Sequence, residues 1–158
     1  MGDSWHGAES APVLDVTAYR IIRTIGKGGF AKVFSVAYTS QSGGEDIMAL
    51  KLPRPLHADN PKSRDLLERL FLTEAQLTAS VKHKNIVRCH GLRRVLPGFP
   101  GLDPLPEPSW GMLLEYCEGG SLSDRLLHAM ARGRACAASE LTTLGWLADV
   151  AEALTFLH

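Results

Sequence analysis

An α+β fold is predicted for residues 19–158, on three observations. Strand signals come first and cluster together: 19–25, 32–39 and 47–52 are short runs rich in β-branched, aromatic and aliphatic residues. The period then changes, because Leu66, Leu70, Ala75, Leu77 and Val81 recur near helical spacing over residues 66–81. Leu141, Leu144, Leu147, Ala151, Leu154 and Leu157 form a second helical stripe near the end.

Each element has its punctuation. Residues 1–18 lack periodicity and are expected to be a flexible or lightly packed lead. Gly43 and Gly44, within residues 40–46, suit a hairpin turn between the second and third strand runs. Pro53, Pro55 and Pro61 then stop the third strand and open the helix at a restricted backbone. Residues 81–110 are expected to hold one strand and a loop, because Pro97, Pro100, Pro104, Pro106 and Pro108 forbid a regular element there. Residues 111–158 read as a strand, a connection, a helix from about Ser123, an Ala/Arg/Gly-rich link and the last helix.

Two short motifs carry chemistry. The first is Ile25-Gly26-Lys27-Gly28-Gly29-Phe30-Ala31-Lys32-Val33, a glycine-rich turn between strand runs. Gly26 and Gly28 lack a Cβ, so backbone N–H groups there can approach phosphate oxygens without collision. The second is Met48-Ala49-Leu50-Lys51, which places a point charge on the third strand where the same phosphates would lie.

Together these motifs resemble the ATP-gripping half of a protein kinase, and further landmarks follow in that family's order. The family's third glycine is replaced by Ala31, a small residue that Polo-like kinases also carry there. Residues 66–81 would be the C helix of the small lobe. Glu74 would be the acid that holds Lys51 against the α- and β-phosphates, with Glu68 the alternative; His83, Asn85, Ile86 and Val87 follow at the family's distance and favour Glu74. Trp110-Gly111-Met112-Leu113-Leu114-Glu115-Tyr116-Cys117-Glu118-Gly119-Gly120-Ser121-Leu122 resembles the strand that runs into a kinase hinge.

The resemblance implies a division into small lobe (19–114) and hinge with the D and E helices (115–158). It also implies an ATP site. Ile25, Gly26, Lys27, Gly28, Gly29, Phe30 and Ala31 would form its glycine-rich cover, and Val33 and Ala49 would sandwich adenine. Leu114 would be the gatekeeper. The backbones of Glu115 and Cys117 would meet the adenine edge, and Ser121 the ribose. The complete family member also uses magnesium. Residues 1–158 contain no His-Arg-Asp, Asp-Phe-Gly or Ala-Pro-Glu, so this stretch alone is expected to be inactive. Two function classes follow: an enzyme moving the γ-phosphate of ATP to protein Ser/Thr hydroxyls, or a non-catalytic nucleotide- or partner-binding module. The hinge motif looks more like serine/threonine than tyrosine kinases.

Composition narrows the partners. Lys plus Arg equals Asp plus Glu at 17 each, so no global field favours nucleic acid or an anionic membrane. No apolar run approaches a membrane span. Cys89, Cys117 and Cys136 fit neither a disulfide framework nor a zinc motif, which favours a reducing, cytoplasmic setting. Cys117 is expected to be a buried, inert thiol. His57, His83, His90, His128 and His158 are scattered, so no metal site is expected, and His83 is expected to order its loop by a hydrogen bond. Thr78 stands where the family places an apolar residue; its hydroxyl either bonds a backbone carbonyl or marks a weakened link between lobes. The long proline-rich segment, residues 95–110, contains Arg94-Val95-Leu96-Pro97-Gly98-Phe99-Pro100, which fits a ligand for a Src-homology-3 domain; the alternative is a surface insertion. With the second stripe normally buried in the rest of the fold, the isolated chain is expected to aggregate, oligomerise or fray.

Overall fold

The computed structural model describes residues 11–54, 61–133 and 138–158. They form β1 (Tyr19–Lys27), β2 (Ala31–Thr39), β3 (Glu45–Pro53), α1 (Pro61–Ser80), β4 (Cys89–Val95), β5 (Ser109–Glu115), α2 (Leu122–Ala131) and α3 (Glu140–Leu157). Pro55, His57, Cys136 and the first ten residues of the predicted lead lie outside the described residues. The chain divides into two compact units: one takes the described residues up to Val81 with Arg88–Tyr116, the other Lys82–Val87 with Cys117–His158.

The first unit is a five-stranded antiparallel sheet in the order β1-β2-β3-β5-β4, with α1 packed against it. The hairpin between β2 and β3 closes through Ser40: its N–H donates to the Gly44 carbonyl at 2.8 Å and its Oγ accepts from the Gly44 N–H at 3.1 Å. Gly43 completes that turn at φ 85°, a region other residues enter at a cost. The edge strand β1 is irregular against β2 between Ile21 and Arg23 and again between Thr24 and Gly26, as edge strands commonly are.

Strand alternation gives the sheet two faces. Phe34, Val36, Leu50, Leu52, Val95 and Leu113 are buried on the back, together with Leu14 and Phe99. Two features from outside the sheet therefore seal this face. Residues 11–18, expected to be loose, are tied down: Leu14 is buried, its N–H donates to the Arg94 carbonyl at 2.8 Å, and the Arg94 N–H donates to the Pro12 carbonyl at 3.0 Å. The proline-rich segment supplies the rest. Its non-strand part runs from 96 to 108, and Phe99, Leu102 and Leu105 turn inward onto the same cluster.

That packing does not support the docking reading of residues 94–100. A polyproline helix needs an extended, left-handed run of negative φ, whereas Gly98 has φ 80°. Phe99 is buried, and the Arg94 guanidinium lies 4.4 Å over the Trp110 ring. The segment is a folded cover.

The front face carries α1. Phe71 and Ala75 bury against Leu92, Trp110 and Met112. The stripe expected to do this is mostly exposed, since Leu66, Leu70 and Leu77 face solvent. The helix starts at Pro61, among the prolines expected to open it and five residues before its apolar stripe begins, where a missing N–H costs nothing; Lys62, Ser63, Arg64 and Asp65 form a polar first stretch that apolar periodicity cannot register. Thr78 resolves in favour of the backbone, donating to the Glu74 carbonyl at 2.7 Å.

In the second unit the 82–87 loop is fastened to α3. The Asn85 amide donates to the Asp149 carbonyl at 3.0 Å and to Glu152 at 3.2 Å, while Lys84 pairs with Glu152 at 3.0 Å. The Lys84 hydrogen bond, with smaller help from the charges of Lys84 and His83 and from Asn85, holds the Glu152 carboxyl below its ordinary value. The expected role of His83 is realised: its Nδ1 accepts from the Asn85 N–H at 3.1 Å, and its ring lies 5.0 Å from that of Phe156. Helix α3 leaves Leu141, Leu144, Leu147, Val150, Leu154 and Leu157 exposed and buries only Ala153.

Candidate nucleotide-binding site

The site is built from one row across the front of the sheet. Gly26 on β1 faces Val33 on β2, Val33 faces Lys51 on β3, and Lys51 faces Met112 on β5. Directly opposed residues in antiparallel strands share a face, so the glycine hairpin and the lysine look the same way. Two residues along β3, Ala49 lies between Ser35 and Leu114 on the next row of that face. Val33, Ala49 and Leu114 therefore form an apolar floor beside the lysine. Ala49 is buried, whereas Val33 and Leu114 are only partly covered.

Helix α1 brings Glu74 to this row. Lys51 Nζ and Glu74 Oε1 form an ion pair and hydrogen bond. The lysine side chain is 22% exposed and the glutamate 49%, so solvent screens the pair and its contribution to stability is small. Its consequence is directional: a flexible ammonium is fixed over the floor with donors left for another anion. Glu68, the alternative partner, is instead occupied at 2.6 Å by the Trp110 indole N–H.

The glycine-rich hairpin is informative for what the fold does not ask of it. None of Gly26, Gly28 and Gly29 has positive φ. A Cβ would come no nearer than 3.5 Å to a neighbour at Gly26 or Gly28 and would meet nothing at Gly29. Folding gives no reason for three glycines in four residues. A ligand approaching the backbone does, and Gly29 and Phe30 carry N–H groups with no hydrogen-bond acceptor among the described residues. The Gly28 N–H is committed to the Ala31 carbonyl at 2.9 Å, closing the turn. Phe30 stands out at 71% exposed, and Ile25 and Lys27 complete the end of β1.

One anchor of this hairpin escaped the sequence reading. The Arg54 N–H donates to the Phe30 carbonyl at 2.8 Å and its guanidinium to the Gly28 carbonyl at 3.2 Å. Its signal was no more than a cation three residues past Lys51. At the other end of the floor, Glu115 is fixed by Arg88, whose carbonyl accepts from the Glu115 N–H at 2.8 Å and whose N–H donates to the Glu115 carboxylate at 3.1 Å.

An open floor, a paired lysine and a glycine hairpin on adjacent strands agree with one further observation: residues 19–158 match the protein kinase domain. The chain belongs to the protein kinase family. The sheet with α1 is the small lobe of that fold. Among relatives, the chain is 32% identical over 155 residues to inhibitor of nuclear factor kappa-B kinase subunit beta of Rattus norvegicus, covering 98% of this chain and 18% of the relative. The Bos taurus protein of the same name is likewise 32% identical over 98% of this chain and 18% of its own length. Serine/threonine-protein kinase chk-1 of Caenorhabditis elegans is 29% identical over 122 residues, covering 75% of this chain and 21% of its own. This kinase chain thus spans about a fifth of the length of these relatives.

Two predicted contacts lie in the second unit, and each departs from its expected chemistry. Cys117 is exposed, not buried; its carbonyl accepts from the Gly120 N–H at 3.2 Å. Ser121, read as a ribose contact, is the N-cap of α2. Its Oγ accepts from the Asp124 N–H at 3.1 Å and donates to the Asp124 carboxylate at 2.6 Å, and that carboxylate also takes the Ser121 N–H at 2.8 Å. The side-chain bond first, then the backbone one, lowers the Asp124 pKa. Capping therefore engages the hydroxyl that the ribose was expected to use.

Among the described residues no group of three or more His, Cys, Asp or Glu is arranged to hold a metal ion. The family implies the use of magnesium, for which the described residues offer no such cluster. No helix among them is long and apolar enough to cross a membrane.

Proposed function

We propose that this chain is the ATP-gripping part of a serine/threonine protein kinase, which moves the γ-phosphate of ATP to protein Ser or Thr hydroxyls. The observation that carries the reading is the Lys51–Glu74 pair set in line with Gly26 and Val33 on the open face of the sheet. Lys51 supplies charge to the α- and β-phosphates and Glu74 holds it there. The hairpin's N–H groups approach the phosphates from above, and Val33, Ala49 and Leu114 enclose the adenine ring in apolar contact. An intact pair also supports catalytic descent over a degenerate, purely binding lobe.

The serine/threonine preference rests on the hinge-like motif and on a relative named for that activity. A cytoplasmic setting is supported by unpaired Cys89 and Cys117. Titration of the chain with Mg-ATP tests the site: Lys51→Met abolishes binding, and an affinity equal to that of the unaltered chain would remove Lys51 from its role. Assay of the full-length protein on Ser-, Thr- and Tyr-containing peptides tests the reaction, and transfer to Tyr alone would overturn the assignment.

A further inference from the structure

Helix α1 offers two acids to one lysine, and only one can be in place. Glu68 and Glu74 are six residues apart, which puts them about 120° apart around the helix and about 9 Å apart along it. Which of them reaches Lys51 depends on how α1 is rotated and seated. Two bonds at and just before the start of β5 fix that seating. The Trp110 indole N–H donates to Glu68 Oε1 at 2.6 Å. One turn earlier on the same ridge of the helix, Arg64 pairs with Glu107 at 2.9 Å. Trp110 itself cannot give way, being buried among Phe71, Leu92 and Met112 with the Arg94 guanidinium 4.4 Å over its ring. Met112, two residues along the same strand face, is the neighbour of Lys51 across the ladder.

We propose that Trp110 and Glu68 are positioning residues that register α1 on the sheet, so that Glu74 rather than Glu68 meets Lys51. The inference rests on the nucleotide-binding reading of that pair. Trp110 sits where the proline-rich cover re-enters the sheet, and Glu107 belongs to the cover itself. The covering segment is thereby linked to the charge that faces the nucleotide.

The test is a double-mutant cycle on Mg-ATP affinity in the full chain. Trp110→Phe keeps the ring and removes the donor; Glu68→Leu removes the acceptor at an exposed helix position; Glu68→Gln keeps an acceptor. The first two weaken binding about 3- to 10-fold and the third largely restores it. In a Glu74→Ala background, Trp110→Phe and Glu68→Leu cost less than about 1.5-fold, because the contact they position is already gone. Equal losses with and without Glu74, or no loss in either background, overturn the proposal. Glu68→Leu keeps the cycle decisive should Trp110→Phe fold poorly. Lys51→Met run in parallel separates the failures: unchanged affinity there sinks the nucleotide reading, whereas its loss with Trp110→Phe and Glu68→Leu both silent sinks the positioning alone.

Discussion

The two faces of the sheet are made by alternate residues of the same strands and have opposite fates. Leu50 and Leu113 point to the back and are fully buried beneath Leu14 and Phe99. Lys51 and Leu114, one residue further along each strand, point to the front and remain partly open. The glycines divide in the same way. At Gly111, beneath the cover, a Cβ would lie 2.8 Å from Leu50 Cδ1 and 3.0 Å from Val95 Cγ2, so the fold demands glycine. In the hairpin the fold demands none. The buried apolar cluster lies on one side and the proposed nucleotide site on the other.

Substitutions on the two faces therefore have separable effects. The largest is expected at Lys51→Met, where isothermal titration should show loss of measurable Mg-ATP binding with the melting temperature nearly unchanged. A matching loss of stability would mean that the front face also holds the fold together. Phe99→Ala should do the reverse, costing about 3–5 kcal/mol in urea denaturation by opening a cavity against the back of the sheet. Gly111→Ala should cost about 1–3 kcal/mol, as overpacking against Leu50, Val95 and Leu52 forces neighbours to shift. Gly28→Ala should have the opposite sign, leaving the chain unchanged or more stable by about 0.4–1 kcal/mol while weakening nucleotide binding. A destabilised Gly28→Ala would show that the hairpin glycines serve folding after all.

The smallest effect is expected at the ion pair that ties the cover to β2. Asp103 lies 2.8 Å from Lys32 Nζ, and that hydrogen bond, then the lysine's charge, holds its carboxyl below the ordinary 3.8. A folded pKa below the unfolded one gives stability that is full above pH 3.8 and is lost as the pH falls through the folded value. Asp103→Asn should therefore melt slightly lower than the unaltered chain at pH 6, and the gap should close under strong acid. A gap that persists there would assign the effect to packing instead of charge.

Much of this was legible because the strongest signals are local. Hairpin glycines, prolines at element ends and a lysine in a short apolar run act over a few residues, and Lys51 and Val33 lie on the strands read from them. The helix face was harder. Leu66, Leu70 and Leu77 repeat at helical spacing as well as Phe71 and Ala75 do, and periodicity does not say which side the sheet lies on. The packing of residues 11–18 and 94–100 is illegible for a related reason: Leu14 and Phe99 are single apolar residues in irregular segments, and a single residue has no period.

The sequence by itself determined the order of elements, the chemistry of the front face and the membership of a family, since those depend on residue type and short spacing. Only the tertiary structure decided that the proline-rich segment is a cover, that Ser121 caps a helix and that Glu68, the alternative acid, bonds Trp110. The hydrogen bonds among those outcomes join residues 3 and 42 positions apart. Each is a competition for one partner, settled by which group the packed backbone brings within hydrogen-bond reach.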